Sequence, residues 1–381
     1  MHVMFVVNDL NYFAIHRHAL ALAWLEKGWR VTLLSGDAPY GKPHIDPRIA
    51  LRNLPLERHH VSPMRDLACL RIVLDAIRKE RPDVVHAFTI KAVLFAGLAV
   101  MLMRRKPALV LTFAGLGKIF EPAQAVSHRV WRTIVVKLLQ RIERACSHWA
   151  TFENENDRKH AIELGFVNET RSQTVQGAGI DPDLFYPSHH PHDGELRILM
   201  ASRLIATKGV DVFIAAAQRL KGRARFTLTG PRDDGDADAM DMKVIEEAAR
   251  NRVIEWRGAT PVESMGDLLR EHDLVVLPTR LQEGFPRSLL EAAACGCALV
   301  ATRQRVIEQI VQTDRTGWLL PTPDADHLVD ALREATADPQ RTRAMGVNAA
   351  RLVSQMAVDT HSVVRDMHAV YVRAAEGRAM G

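Results

Sequence analysis

Cysteine is scarce in this 381-residue chain, which has four, at positions 69, 146, 295 and 297. They are too few and too scattered for a disulfide framework, and C-G-C at 295–297 lacks the two-residue spacer of redox and zinc motifs. The N-terminus also lacks a basic segment and a small-residue cleavage site, and M-H-V-M-F-V-V is typical of a strand rather than of a secretion signal. We therefore expect a cytoplasmic protein.

Two glycine motifs for phosphate binding are missing as well. Neither G-x-G-x-x-G nor G-x-x-x-x-G-K-[ST] occurs in the chain, which argues against dinucleotide-binding dehydrogenases and P-loop NTPases. Low-complexity tracts are absent, 47% of the residues are hydrophobic and 25% are charged, so the chain is globular. Its length predicts two domains.

Charge is unevenly distributed along the chain. Residues 1–150 contain 22 Lys and Arg against 11 Asp and Glu, whereas the remainder contains 28 against 34. A basic first half suits nucleic acid, an anionic membrane or an acidic substrate. We expect no nucleic-acid partner, because the sequence has no aromatic RNA-binding motif and no helix-turn-helix signal.

Strand-like and helix-like segments alternate along the whole chain, which predicts α/β domains with doubly wound parallel sheets. The alternation starts again at 197, so we expect two Rossmann-like domains that face each other across a cleft. The predicted domains are 1–187, joined by a final helix at about 359–381, and 196–358, with a linker at 188–195. Predicted strands are 2–8, 30–35, 83–88, 108–113, 148–152, 197–202, 225–230, 253–258, 274–278 and 298–302.

Two groups of possible metal ligands are interpreted as loops. His189, His190 and His192 lie in the linker, where no carboxylate or cysteine at ligand spacing completes a site. The acid-rich run P-R-D-D-G-D-A-D-A-M-D-M-K at 231–243 lacks the twelfth-position glutamate of a calcium loop. We expect a solvated, acid-rich loop that leads to a helix there, and no metal.

A pair of carboxylates is the first candidate site. Glu283 and Glu291 are eight residues apart in E-G-F-P-R-S-L-L-E, where Pro286 suits the first position of a helix. The spacing therefore places Glu283 in a loop and Glu291 on the helix. Because an ionised carboxylate accepts hydrogen bonds on both oxygens, each can hold vicinal sugar hydroxyls.

Two cations follow the first strand of the second half. Arg203 and Lys208 come after strand 197–202 and before an amphipathic helix. An arginine fork and a lysine beside a helix N-terminus can neutralise a diphosphate without a metal. Together with the carboxylates, they indicate a nucleotide-sugar site.

These motifs resemble the retaining glycosyltransferases of family 4, which have the GT-B fold. The resemblance lies in A-S-R-L-I-A-T-K-G-V-D, L-T-G-P, W-R-G, D-L-V-V-L-P-T, E-G-F-P-R-S-L-L-E-A and T-G-W-L-L-P, between 201 and 321. It implies that Arg203 and Lys208 hold the donor diphosphate, that Glu283 contacts the transferred sugar and that Glu291 binds the ribose. It also implies donor contacts from the backbone of Gly284, Phe285 and Pro286, and close backbone approach at Gly230 and Gly258.

The first half is similar to family members that extend sugars on a polyprenyl diphosphate carrier. The similarity lies in A-I-H-R-H-A-L-A-L-A, D-V-V-H-A-F-T-I-K, L-T-F-A-G-L-G-K-I-F and F-E-N-E-N-D-R. It implies a lipid-linked glycan acceptor, a UDP-linked hexose or N-acetylhexosamine donor and no cofactor. His16, Arg17 and Lys118 are acceptor-side candidates by position, and His16 fits equally well as an ordinary surface residue of a helix.

Two segments raise the question of a membrane surface. The apolar run 92–103 is shorter than the roughly 20 residues that span a bilayer. It is therefore either a buried helix or a segment that touches the acyl chains of the membrane. A lipid-linked acceptor favours the second interpretation. The pattern of residues 127–145 predicts a helix with one apolar arc and one basic arc. Such a helix either lies at the membrane interface or packs on the sheet with its basic side in solvent. Its place in a Rossmann-like unit favours packing on the sheet. We expect peripheral attachment to the inner leaflet of the cytoplasmic membrane.

Alternatives remain at this stage. One keeps the glycosyltransferase but gives it a soluble acceptor. Another is a sugar-nucleotide isomerase of GT-B shape, which needs no acceptor.

Overall fold

The computed structural model describes residues 1–56, 62–116, 118–120, 126–146, 148–177, 179–187 and 194–379. The chain divides into two units, one formed by 1–179 and 360–381 and the other by 180–359. The expected linker at 188–195, with His189, His190 and His192, lies outside the described residues except for 194 and 195.

The first unit is built around a parallel sheet with the order β3-β2-β1-β4-β5-β6-β7 in the part of the chain that the structure describes. Its strands are β1 His2–Val7, β2 Arg30–Ser35, β3 Ala50–Asn53, β4 Val84–Phe88, β5 Ala108–Phe113, β6 His148–Phe152 and β7 Ser172–Thr174. Its helices are α1 Leu10–His16, α2 His18–Glu26, α3 Pro63–Glu80, α4 Ile90–Met101, α5 Val126–Ala145, α6 Glu155–Glu163 and α13 Thr360–Ala379. The central strands are buried on both faces, as the apolar segments of doubly wound sheets require.

The second unit has a parallel sheet with the order β10-β9-β8-β11-β12-β13 over its described residues. Its strands are β8 Arg197–Ala201, β9 Arg225–Thr229, β10 Glu255–Trp256, β11 Leu274–Leu277, β12 Ala298–Thr302 and β13 Gly317–Leu320. Its helices are α7 Val210–Arg219, α8 Met242–Arg250, α9 Val262–Arg270, α10 Arg287–Ala294, α11 Ala325–Ala337 and α12 Pro339–Ser354. All ten predicted strands are confirmed, and both units are Rossmann-like.

The division between the units differs from the predicted boundary at 187. Residues 180–187 belong to the second unit, where Phe185 is buried in the core and the Leu184 carbonyl accepts a hydrogen bond from Arg270 at 2.9 Å. The prediction was based on the turn-forming residues around 187–195. The contacts of Leu184 and Phe185 could not be predicted in this way, because they depend on the tertiary packing of α9.

The final helix α13 packs against the sheet of the first unit. Val370 and Tyr371 are buried in its core, and the Tyr371 hydroxyl lies 2.5 Å from Nδ1 of His86 on β4. The other ring nitrogen of His86 lies 2.6 Å from the Thr112 hydroxyl on β5. A buried polar chain therefore links the end of the sequence to the middle of the first sheet.

The apolar run at 92–103 is a buried helix, so the expected contact with acyl chains is wrong. Within α4, Val93, Ala96 and Val100 are among the residues buried in the core of the first unit. Gly97 lets α5 approach closely, because a Cβ at this position would lie 2.6 Å from Cδ1 of Ile142. None of the described helices combines the length and the apolar composition needed to cross a bilayer.

Candidate donor site at the edge of the second sheet

The candidate residues gather at the carboxyl edge of the second sheet. Strands β8 and β11 are neighbours there, and the chain continues outward from them in opposite directions, to β9 and β10 on one side and to β12 and β13 on the other. Loops that leave such a switch point separate and form a crevice in which doubly wound sheets bind ligands. Arg203 and Lys208 follow β8, and Glu283 follows β11.

Lys208 and Glu283 form an ion pair across this switch point. The ammonium Nζ lies 2.7 Å from Oε1 and 2.9 Å from Oε2 of the carboxylate. The two side chains are only 17% and 11% exposed, so solvent screens the pair weakly. Sequence reasoning named both residues but gave them different partners, the diphosphate and the sugar. Their direct pairing is visible only in the structure.

Thr279 is a residue of this site that sequence reasoning missed. Its hydroxyl is fully buried and donates a hydrogen bond of 2.8 Å to Oε1 of Glu283, while it accepts one of 3.1 Å from the backbone N–H of Leu281. The hydroxyl thus orients the carboxylate toward Lys208. A threonine directly after an apolar strand was the available signal, but it does not by itself distinguish this role from packing.

Gln304, in the loop after β12, holds the other side of the Glu283 loop. Its side-chain oxygen accepts the backbone N–H of Glu283 at 2.9 Å, and its amide nitrogen donates to the Leu281 carbonyl at 2.7 Å. One planar amide therefore fixes two backbone groups on either side of Gln282. Sequence reasoning missed this residue too, because its partners are more than 20 positions away.

A glycine is required where the cation loop joins α7. Residues Ala206–Lys208 form a 3-10 turn, and Gly209 follows it with φ +84°. A Cβ at Gly209 would lie 2.2 Å from the carbonyl oxygen of Pro278. This close approach brings the loops after β8 and β11 together and so places Lys208 beside Glu283.

The residues after Glu283 serve different purposes. Phe285 is buried in the core beside α10, and Pro286 is the N-cap residue of this helix, which begins at Arg287, one position later than predicted. Gly284 completes the turn. The predicted backbone contacts of these three residues with a donor stay a prediction.

Glu291 lies on α10, as predicted, and is largely buried. Its Oε1 accepts a hydrogen bond from Nε of Arg287, one helical turn earlier. Arg287 is a further partner that sequence reasoning missed, although an i, i+4 pair on a helix is a recognisable signal. This hydrogen bond fixes the position of one carboxylate oxygen of Glu291.

The acid-rich run at 231–243 is a loop that leads into α8, as predicted, but two of its carboxylates are turned inward rather than solvated. Asp233 and Asp236 turn toward Arg203 and accept hydrogen bonds from its Nη1, and Asp233 is only 6% exposed. Arg203 is the reason, because a partly buried guanidinium needs carboxylate partners. Among the described residues, no group of three or more His, Cys, Asp or Glu could hold a metal ion.

The two glycines expected to approach a nucleotide differ in their surroundings. A Cβ at Gly230, where φ is +153°, would lie 1.6 Å from the Ser202 carbonyl, so the chain itself requires glycine there. Gly258 has open space where its Cβ would lie, and its carbonyl accepts the Gly230 N–H at 2.8 Å. Approach to a nucleotide stays a prediction for both.

A second polar cluster lies at the carboxyl edge of the first sheet. Arg17, between α1 and α2, is buried and donates hydrogen bonds to Glu153 at 2.8 Å and to the Tyr12 hydroxyl at 3.0 Å. Its guanidinium carbon lies 4.7 Å from the centre of the Phe88 ring. Burial alone would lower the pKa of Arg17, but Tyr12 and Glu153 outweigh this effect and raise the pKa. The guanidinium is thus enclosed by the protein.

The other two acceptor-side candidates are placed less deeply. His16 ends α1, is half-buried and lies with its ring centre 4.8 Å from that of Tyr12. Lys118 begins a 3-10 turn, and its side chain is outside the described part of the structure. Roles in acceptor binding stay predictions for His16, Arg17 and Lys118.

Comparison with known families divides the chain in a similar way. Residues 14–155 match the family described as "Glycosyl transferase 4-like domain", and residues 185–352 match "Glycosyl transferases group 1". Each matched range lies entirely within one Rossmann-like unit.

Three curated relatives are similar over different lengths. The N,N'-diacetylbacillosaminyl-diphospho-undecaprenol alpha-1,3-N-acetylgalactosaminyltransferase of Campylobacter jejuni is 27% identical over 57% of this chain, and the match spans 58% of that relative's own length. The D-inositol 3-phosphate glycosyltransferase of Paenarthrobacter aurescens is 26% identical over 89% of this chain and 87% of its own. The UDP-Gal:alpha-D-GlcNAc-diphosphoundecaprenol alpha-1,3-galactosyltransferase of Escherichia coli is 23% identical over 77% of each.

Solved structures show the same fold at low identity. Sucrose-phosphate synthase from Thermosynechococcus elongatus superposes with a TM-score of 0.76 and 18% identity, over 98% of this chain and 99% of that one. Anabaena HepE in complex with UDP-glucose superposes with a TM-score of 0.75 and 18% identity, over 98% of this chain and 100% of that one. The chain therefore has the GT-B fold, with one region similar to the glycosyl transferase 4-like domain and another similar to the glycosyl transferases group 1 domain.

Proposed function

We propose that the protein is a retaining, metal-independent glycosyltransferase. It moves a sugar, a hexose or N-acetylhexosamine linked to UDP, onto a saccharide carried by a polyprenyl diphosphate, in the assembly of surface polysaccharide or glycoprotein glycans. The observation that carries the proposal is the Lys208–Glu283 pair, oriented by Thr279 at the switch point of the second sheet. Titratable groups placed together in this way are typical of a functional site.

Lys208 can serve the donor while it stays paired with Glu283. An ammonium has three N–H groups, and the two short contacts with the Glu283 oxygens leave one for a phosphoryl oxygen. Arg203 adds a second cation, held by Asp233 and Asp236. Negative charge develops on the departing diphosphate, so two fixed cations stabilise the transition state more than the bound donor.

Glu283 acts at the opposite end of the bond that breaks. As the C1–O bond of the donor lengthens, the sugar gains oxocarbenium character, and a carboxylate that contacts it strengthens its interaction. The acceptor hydroxyl attacks C1 from the face that the diphosphate leaves, and its proton passes to the departing diphosphate oxygen. Configuration at C1 is then retained without a covalent enzyme intermediate. Glu291, held by Arg287, binds the ribose hydroxyls.

The proposal of a lipid-linked acceptor draws on the relatives. The names of the Campylobacter jejuni and Escherichia coli relatives both specify a saccharide on undecaprenol diphosphate. The basic first half of the chain also suits a protein that works at the anionic inner leaflet of the cytoplasmic membrane. A soluble acceptor is the second candidate, because the D-inositol 3-phosphate glycosyltransferase aligns over most of both chains.

A panel of nucleotide sugars, each incubated with the purified protein and a defined polyprenyl-diphosphate sugar, tests the proposal. We expect one UDP-sugar to give a lengthened lipid-linked glycan with retained anomeric configuration, in the presence of a chelator. Product formed only on inositol phosphate or another soluble acceptor would favour the second candidate. An altered nucleotide sugar formed from donor alone would instead identify an isomerase.

A further inference from the structure

Arg280, in the loop after β11, binds the loop that follows β8. Its backbone N–H donates a hydrogen bond to the Thr207 carbonyl at 2.8 Å. Its side chain points the same way, since Nη1 donates to the Ala206 carbonyl. The backbone and the side chain of Arg280 therefore both hold the 3-10 turn that contains Lys208.

The guanidinium of Arg280 also binds the first turn of α7. Its Nη1 and Nη2 each donate a hydrogen bond of 2.8 Å to Asp211, one to Oδ1 and the other to Oδ2. Such a bidentate fork is the strongest form of an arginine–carboxylate pair. Burial alone would raise the pKa of Asp211, but the hydrogen bond and the charge of Arg280 outweigh burial and lower the pKa. The carboxylate therefore stays ionised at neutral pH.

These contacts lie on both sides of Lys208. Arg280 is bound to positions 206 and 207 before the lysine and to Asp211 after it. Glu283 lies only three positions beyond Arg280 in the same loop. Because a short stretch of backbone between fixed points can reach only a small region, the chain around Lys208 and Glu283 has little freedom to move apart.

A comparison within α7 separates this pair from ordinary surface ion pairs, which contribute little to stability. At the other end of the helix, Nη1 of Arg219 lies 2.6 Å from Oδ1 of Asp326, and the two side chains are 42% and 81% exposed. That pair joins α7 to α11. The side chains of Arg280 and Asp211 are 37% and 45% exposed, but their pair joins the two loops that meet at the switch point of the sheet.

We propose that Arg280, together with Asp211, is a positioning residue that fixes Lys208 opposite Glu283. In the proposed mechanism the two charges act at opposite ends of the bond that breaks, so a small displacement of either one weakens the stabilisation of the transition state. Arg280 acts through the loops that it joins. The effect of Arg280 on turnover rests on the proposed function, whereas its effect on the loops does not.

Amide hydrogen exchange of the full-length protein tests the fixing of the loops without donor or acceptor. In Arg280→Gln, peptides that cover 204–212 should exchange about tenfold faster, the effect of one lost hydrogen bond. Arg219→Gln is the matched control, because it removes an arginine of similar exposure from the other end of α7. The control should exchange like the unchanged protein over 204–212. Equal exchange in Arg280→Gln and in the control would overturn the inference.

Steady-state kinetics test the positioning role. Arg280→Gln should lower kcat about tenfold with the donor KM within about twofold, because the arrangement of Lys208 and Glu283 matters most in the transition state. Asp211→Asn should lower kcat less, about threefold, because Arg280 keeps its hydrogen bonds to the other loop. The double variant should match Arg280→Gln alone, since the two side chains act as one unit. Asp211→Asn carries both tests if thermal unfolding shows that Arg280→Gln does not fold.

The outcomes distinguish this inference from the proposed function. If Arg280→Gln exchanges faster but keeps kcat within about twofold, Arg280 has only a structural role and the inference is wrong. If the donor KM rises by a larger factor than kcat falls, Arg280 binds the donor directly, which also overturns the inference. If the unchanged protein transfers no sugar, the proposed function fails, and the exchange measurement by itself decides whether Arg280 fixes the two loops.

Discussion

Replacement of Glu283 by glutamine tests the proposed site most directly. Glutamine keeps the shape of the side chain and can still accept the Thr279 hydroxyl, but it removes the charge that faces Lys208. If Glu283 contacts the sugar as positive charge develops, the variant loses an interaction that is strongest in the transition state. Loss of one such contact typically lowers kcat by about 10²–10³-fold, or about 3–4 kcal/mol.

The same replacement has a smaller effect on stability. A fully buried ion pair that loses one partner destabilises a protein by about 3–5 kcal/mol, and an exposed pair by less than about 1 kcal/mol. The Lys208 and Glu283 side chains are 17% and 11% exposed, so the loss in the free energy of unfolding should lie between these limits, at about 1–2 kcal/mol. The protein should stay folded at 25 °C, and the large change should be in turnover.

The assay is the initial rate at varied donor concentration, together with thermal unfolding of each variant. Glu334→Gln is the matched control, since Glu334 pairs with Arg341 on the surface of the second unit, and we expect it to change neither quantity. Lys208→Gln combined with Glu283→Gln separates the two roles, because removal of both charges should restore stability but not turnover. Turnover of Glu283→Gln within twofold of the unchanged protein would refute the proposed contact with the sugar.

Three further predictions concern other residues. Glu291→Gln should raise the dissociation constant for UDP about tenfold while kcat changes little, because the ribose is bound equally in the ground and transition states. Titration calorimetry measures the affinity for UDP, and steady-state kinetics measure kcat. An unchanged affinity would contradict the prediction. Gln304→Glu keeps the acceptor for the Glu283 N–H but cannot donate to Leu281, so kcat should fall about tenfold, the value of one hydrogen bond, with the donor KM nearly constant. A larger change in KM than in kcat would oppose this positioning role. Burial, followed by the charge of Arg17, lowers the pKa of His86 well below its usual value, so the unfolded chain binds a proton that the folded protein excludes, and stability falls as pH decreases below about 6.5. His86→Gln should reduce this slope by up to about 1.4 kcal/mol per pH unit in urea titrations, and equal slopes would show that His86 does not contribute.

The strands show how much of the fold can be predicted from local sequence patterns. The ten that were predicted are apolar segments of useful length, whereas the three that were missed, β3, β7 and β13, all lie at an edge of a sheet. The four residues of β3 are exposed, and β7 is three residues long. Exposure accounts for the weak apolar signal of β3 and shortness for that of β7, whereas β13 is mostly buried and its residues were noted only as part of the motif T-G-W-L-L-P.

The residues of the candidate site also fall into two groups, those that the sequence predicted and those that it did not. Sequence motifs identified Arg203, Lys208, Glu283 and Glu291, but Thr279 and Gln304 were invisible because a single threonine or glutamine has no pattern of its own. The inward turn of two carboxylates in the acidic run at 231–243 was not predicted for a related reason. Asp233 and Asp236 lie beside Arg203, and that proximity comes from the pairing of β8 with β9.

By itself, the sequence determined the alternation of strands and helices, the repeat of the Rossmann-like unit and the identity of the charged residues, since these depend on neighbours a few positions apart. Tertiary structure decided which of those residues meet. Lys208 and Glu283 are 75 positions apart and touch because β8 and β11 are adjacent and Gly209 permits the close approach of their loops. Likewise, the apolar residues of α5 divide into buried Val135, Leu139 and Ile142 and exposed Val130, Trp131 and Ile134, and the order of residues within α5 does not show this division.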